Sequence, residues 1–190
     1  MENITGGMKI KGELLTECYR WHDEDGNRFR DNKGRFERRL MWADKTHNIV
    51  TTQGLNRILD VMFAATTQIT TWYCTLVETN TTPAAAMTYA TPTYTESTAY
   101  TETTRPAYVE AAASAGSMTN SANKAVFTIN ATKTMYGASL VGGGTAPTTK
   151  GDAAGGGALY CYALFSASRA VVADDVINLT YTVTSADDGV

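Results

Sequence analysis

Asn48-Ile49-Val50-Thr51-Thr52-Gln53-Gly54-Leu55-Asn56-Arg57-Ile58-Leu59-Asp60-Val61-Met62-Phe63 is the one stretch of this chain with a convincing helical period. Leu55, Ile58, Leu59, Met62 and Phe63 recur at i, i+3, i+4, i+7 and i+8, which gathers five apolar side chains on one stripe of a 3.6-residue helix. Thr51 or Thr52 is placed to cap the first turn, and Asn56, Arg57 and Asp60 fall on the opposite, polar side. A helix over 52–63 is too short to persist alone, because its first turn costs more to order than its hydrogen bonds return. It therefore needs a sheet to lie on, and the stripe is expected to be the face that packs there.

Before this helix the sequence is dense in charge; after it, threonine, alanine and glycine dominate. Residues 1–60 hold 11 of the 16 Lys and Arg and 10 of the 19 Asp and Glu, so 61–190 keep five basic against nine acidic groups. That contrast suggests an N-terminal arm and charged β-meander over 1–47, and a helix plus β-sandwich unit over 48–190. A net charge of −3 and a pI near 5.4 argue against a general nucleic-acid binder, which carries a strong basic excess. No apolar run approaches the roughly 20 residues of a membrane helix, and no basic-then-apolar leader opens the chain. Cys18, Cys74 and Cys161 lie far apart within strand-like patterns, which points to buried free thiols and a reducing cytoplasm.

Residues 1–7 lack a period and end in Gly6-Gly7, so they are expected to form an arm that only a partner would order. Alternation from Met8 to Trp21 suits a strand, and Asp23-Glu24-Asp25-Gly26-Asn27 is a turn signal. Two short strands, 28–30 and 35–42, are expected around the turn Asp31-Asn32-Lys33-Gly34. Beyond the helix, a strand is expected over Thr71–Glu78, with Trp72, Cys74 and Leu76 on one face. Further strands are expected at 107–110, 124–129, 134–141, 158–165 and 176–183. Their even spacing is the pattern of an antiparallel β-sandwich, Ig-like or jelly-roll-like. In the last strand Ile177, Leu179, Tyr181 and Val183 share one face and Val176, Asn178, Thr180 and Thr182 the other, so one side is core and the other water. The fold class is mainly β, with one short amphipathic helix and an N-terminal hairpin or meander.

The stretch from Thr79 to Pro106 carries three of the four prolines and no period. A loop this long is usually functional or held by a neighbour. Tyr89, Tyr94 and Tyr100 within it are candidate interface residues, since tyrosines left in water by a monomer are what a subunit contact covers. Arg28, Arg30, Lys33, Arg35, Arg38 and Arg39 form the one basic cluster, with the five arginines as candidate interface residues. Interrupted by Asp31 and Glu37, it reads as a solvated face or as a docking surface for an acidic protein or DNA.

Signs of chemistry are few. His22 and His47 have no ligand-spaced neighbours, and Asp23-x-Asp25-x-Asn27 lacks the bidentate Glu of a calcium loop. The triple glycines 142–144 and 155–157 bracket a hairpin tip, mobile or ordered by a neighbouring subunit. A strand rather than a helix follows them, so a phosphate loop is excluded. No cofactor, metal or catalytic residue is expected.

Asn48, Val50, Thr51, Gly54, Asn56, Ile58, Leu59 and Asp60, followed by Trp72, Tyr73 and Leu76, resemble a pattern in small structural proteins of tailed bacteriophages. Thr104-Arg105, Ala125–Ile129, Tyr136-Gly137-Ala138 and Leu179–Thr182 extend the resemblance over roughly residues 8–184. Asp174-Asp175 departs from the usual Gly-Asp. The resemblance implies a non-enzymatic virion protein, assembled in the host cytoplasm and present in many copies. Its expected partners are the major capsid protein or tail proteins, and further copies of itself. A capsid decoration protein on the outside of the head is the leading expectation, with a tail adaptor or fibre-base protein as the alternative. A carbohydrate-binding module, using the tyrosine-rich loop as its platform, is the alternative of another class.

Overall fold

The computed structural model describes residues 7–144, 148–151, 153–154 and 156–187. The chain runs β1 (Met8–Arg20), β2 (Arg39–His47), β3 (Ile49–Val50), α1 (Thr52–Phe63), β4 (Trp72–Val77), β5 (Glu96–Ser97), β6 (Ala107–Tyr108), β7 (Ser117–Thr119), β8 (Ala125–Thr128), β9 (Lys133–Gly142), β10 (Ala158–Val171) and β11 (Val176–Asp187). Two antiparallel sheets pack face to face as a β-sandwich, with α1, the one helix among the described residues, against β10. The first sheet has the order β2-β1-β11-β7, with β8 on the same side of β11 as β7. The second has the order β3-β10-β9-β4-β5, and β6 extends it along β4.

Burial alternates along β1, where Gly12, Leu14, Thr16 and Cys18 point inward, as period-2 side-chain placement requires. β11 contributes Ile177, Leu179 and Tyr181 to the same core, and β9 and β10 close it with Met135, Ala138, Leu140, Cys161, Ala163 and Phe165. The other side of β11 is not simply water, since Val176 and Thr180 are also buried. β1 pairs with β11 from Met8 to Tyr19, so the charged N-terminal third supplies a central strand of the sandwich. Between β1 and β2, residues 21–38 leave the sheet. Its strands are reduced there to isolated bridges, His22 with Arg28 and Arg30 with Phe36.

β2 and the outer half of β10 are joined through side chains. Residues between Leu164 and Arg169 bulge out of register with β9, and Ser166 and Arg169 donate to the buried Asp44 carboxylate of β2. Burial works to raise Asp44, but the hydrogen bonds from Ser166 and Arg169 outweigh it and hold the carboxyl below its usual range. At the β10–β11 turn Asp174 takes a φ of 70°, in the left-handed region that glycine enters at least cost. The Asp175 carboxylate beside it accepts from Nε and Nη2 of Arg20 and ties β1 to the turn.

The loop from Thr79 to Pro106 corrects the expectation placed on it. It lies on the outer face of the second sheet, where Val77, Val141, Leu159 and Tyr162 point away from the main core. Met87 and Tyr89 close a second core over them, with Tyr94 packed against it. Tyr100 is fully buried in the main core, edge-on to Phe127 at 5.1 Å. Those side chains are covered by the subunit itself, because a two-faced apolar sheet needs a cover on each side. The arm 1–6 and residues 145–147, 152 and 155 of the glycine-flanked loop lie outside the described residues, so the expectations placed on them are not addressed.

Candidate docking site

The helix over 52–63 forms as the sequence predicts, and Thr51 is its cap, accepting from Gly54 N at 3.0 Å. Its rotation is another matter. Thr51 N donates to Tyr160 O, and its hydroxyl donates to Leu159 O. One oxygen of Gln53 accepts from both Leu159 N and Tyr89 N, at 2.8 and 2.9 Å. Gly54 is pressed on the Tyr160 backbone, where any Cβ would run into the carbonyl. These contacts lock the first turn with the side of residue 54 toward β10, so Ile58 one turn later faces the core.

The predicted stripe is thereby turned outward. Leu55 is 40% exposed, Leu59 50%, Met62 61% and Phe63 78%, and only Ile58 of the five packs on the sandwich. The expectation that the stripe lies on the sheet is corrected, and the reason is local: backbone and side-chain bonds of the cap outrank the apolar face. Isolated exposed hydrophobics are ordinary, whereas a run of them along one helix makes that face a candidate contact surface.

Beside α1 lies a cleft of about 510 Å³. Ile58, Val61 and Met62 form its helical wall, and Trp72, Tyr108, Tyr160 and Tyr181 line it from the sheets. The aromatic set packs edge to face, Trp72 on Tyr160 at 5.6 Å, Tyr160 on Tyr181 at 6.2 Å and Tyr108 on Tyr181 at 5.9 Å. Burial pushes the phenols of Tyr108, Tyr160 and Tyr181 well above the usual tyrosine range, so they stay neutral. The Cys161 thiol is likewise pushed up to about 12 by burial, and the same force raises Cys18 to about 12 and Cys74 further. All three cysteines are buried and unpaired. Thiols held protonated in this way are poor nucleophiles. Arg57, Gln68 and Glu110 supply the polar edge of the cleft. An apolar, neutral wall with a polar edge binds apolar groups by excluding water and offers little to a reaction.

Of the other sequence-predicted residues, the structure gathers Arg28, Arg30, Arg35 and Arg38 on the 21–38 segment and Arg39 beside them at the start of β2. Arg28 and Arg30 both lie over Phe36, at 5.1 and 4.0 Å, Arg38 over Trp21 and Arg39 over Phe29. Arg35 pairs with Asp31 and Arg39 with Glu37. The arginines thus brace the finger through their aromatic partners while remaining exposed. Tyr89, Tyr94 and Tyr100 do not join them: Tyr89 and Tyr100 are 3% and 0% exposed, and Tyr94 bonds the Ser139 hydroxyl. The Tyr89 hydroxyl accepts from Arg105, which is itself buried on Glu96. Tyr100 therefore belongs to the core, while Tyr89 and Tyr94 line a cleft of about 250 Å³ with Pro92, Glu96 and Arg105. Glu102, on the same loop, accepts from Thr128 N.

Sequence reasoning missed the cleft because its wall comes from seven separated segments. It missed the outward face of α1 because the anchors at Thr51, Gln53 and Gly54 look like ordinary cap residues. Gly54 was the available signal, since glycine inside a helix marks a close approach. Among the described residues, no group of three His, Cys, Asp or Glu could hold a metal, and no helix is long and apolar enough to cross a membrane. The sequence matches no family model and no curated protein.

Proposed function

We propose that this chain is a non-enzymatic structural subunit of a tailed-bacteriophage particle, and that it works through protein–protein contact. The observation that carries the docking reading is the outer face of α1, where Leu55, Leu59, Met62 and Phe63 stand in water beside an apolar cleft. The phage setting is supported by the resemblance of Asn48–Asp60 and Trp72–Leu76 to virion proteins, and assembly in a reducing cytoplasm by three buried, unpaired thiols. Within that setting the chain decorates the outside of the head, contacting the major capsid protein. A place in the tail, as adaptor or fibre base, is the alternative that the same surface would serve.

Quantitative mass spectrometry of purified particles tests this. Hundreds of copies per particle are expected for a head protein, and about a dozen or fewer would move it to the tail. Absence from the particle in a host that expresses the chain would overturn the proposal.

A further inference from the structure

We infer that the cleft beside α1 is a binding site for a small amphipathic carboxylate, which lays its apolar body on the aromatic wall and its carboxylate on Arg57. The site is independent of the docking reading, which uses the outer face of the helix. Its origin is the rotation of α1. The turn that sends Leu55 and Leu59 to solvent brings Arg57 into the cleft wall with Gly54, Ile58 and Val61, residues three and four apart along one side. Arg57 is half-buried there. Among the described residues its guanidinium makes no hydrogen bond and no ion pair, not even with Asp60 three residues on. A carboxylate brought to a cation that is partly out of water gains more than it would at a fully solvated one.

Arg57 also belongs to two clefts. With Gln68 and Ile69 it lines both the aromatic one and a second of about 420 Å³, whose further walls include Thr67, Thr70, Thr71 and Gly143. Ile69 is seated on Gly142 and Gly143, where a Cβ would meet its side chain at 3.0 and 2.9 Å. The hydroxyls of Thr67, Thr70 and Thr71 and the Gln68 amide form no hydrogen bond among the described residues. One cleft thus offers neutral rings, the next offers free polar groups, and Arg57 is the charge they share. That pairing fits a ligand with an apolar body and an anionic end, and the aromatic cleft lies within the roughly 300–1,000 Å³ that takes a small organic molecule. Glu110, two residues beyond Tyr108 on the edge of the aromatic cleft, is the competing charge. It is exposed and screened by water and salt, so the sign of the ligand follows the half-buried Arg57.

Titrating the isotope-labelled full chain with phenylbutyrate, phenylbutanol and phenylbutylamine at low ionic strength, and following amide chemical shifts, tests this. The acid should bind with a Kd of about 0.1–1 mM, the range for about a dozen non-hydrogen atoms, and about fivefold or more tighter than the alcohol or the amine. Its shifts should centre on residues 54–62, 68–72 and 108–110. Arg57→Gln should bring the acid down to the affinity of the alcohol and leave the alcohol unchanged, with the circular dichroism spectrum intact. Val61→Trp, which fills the cleft from a partly exposed helix position, should abolish the shifts for all three compounds. Equal affinity for acid and alcohol overturns the inference, as does tighter binding of the amine, an acid affinity that survives Arg57→Gln, or the absence of cleft shifts at about 10 mM acid. Phe63→Asp, on the outer face, should leave the acid's affinity unchanged. A loss of binding there would put the site on the face that the docking reading uses and overturn its assignment to the cleft, whereas a loss of particle incorporation alone would bear only on docking.

Discussion

The helix α1 and the loop from Thr79 to Pro106 exchange the roles that their sequences suggest. The helix has a clean apolar stripe and turns most of it to solvent; the loop has no period and buries Met87, Tyr89 and Tyr100. The difference teaches what periodicity encodes. A period says which residues share a face, while the direction of that face is set by whatever anchors the element. For α1 the anchor is the first turn, bonded to Leu159 and Tyr160. For the loop it is the apolar outer face of the second sheet, reinforced by Arg105 on Glu96 and by backbone bonds such as Thr52 N to Ala85 O and Glu78 N to Thr95 O. An aperiodic segment can be core if its polar backbone finds partners.

The largest effect expected is at the loop's ion pair. Burial works to lower the Arg105 guanidinium, but the pair with Glu96 outweighs it and raises it further. Arg105→Met would leave the Glu96 carboxylate buried without its partner, so about 3–5 kcal/mol should be lost in a urea titration. A loss under about 1 kcal/mol would mean the loop is not part of the subunit's own fold, and the comparison would break there.

Alkaline titration sharpens the same side. Burial raises the Tyr94 and Tyr100 phenols, so these rings favour the neutral form in the fold. The stability they contribute is fully present below the unfolded tyrosine value of about 10 and is lost as pH rises through the higher folded values. Absorbance near 295 nm should show them ionising only together with alkaline unfolding. Free titration near pH 10 with the fold intact would place them in water.

On the helix side, Gly54→Ala puts a methyl against Tyr160 O, and about 1–3 kcal/mol should be lost. Hydrogen exchange should report that loss in residues 52–63 first. Uniform loss across the sandwich would mean the helix is not separately anchored. The smallest effect belongs to the stripe itself. In dilute solution Leu59→Ala should cost at most about 0.5 kcal/mol and Ile58→Ala about 2, because only Ile58 is packed on the core. Equal costs would show the whole stripe inside.

Much of the architecture was legible. The strands from Met8, Trp72, Ala125, Lys133, Ala158 and Val176 follow from alternation and turn residues, and the helix starts and ends where its period does. The run from Ala43 to His47 was not read as strand, because its charged residues have no local pattern: Asp44 pairs with Arg169 of β10 and Lys45 with Glu13 of β1. Ser117–Thr119 was missed because a three-residue strand has no period of its own. Of the candidate residues, the arginines lie near one another because they are close in sequence. The tyrosines were assigned to a surface because nothing in Thr79–Pro106 reveals the sheet face beneath it.

By itself, then, the sequence determined the β class, the place and length of the one helix, its Thr cap, the buried free thiols and the turns at Asp23–Asn27 and Asp31–Gly34. Each of these rests on interactions between residues close in the chain, or on composition. Tertiary structure alone decided that β1 lies at the centre of a sheet, that the loop is a second core, and that α1 shows its stripe to solvent. Those outcomes depend on groups about a hundred residues apart, Thr51 with Tyr160 and Gln53 with Leu159, whose meeting no local pattern records.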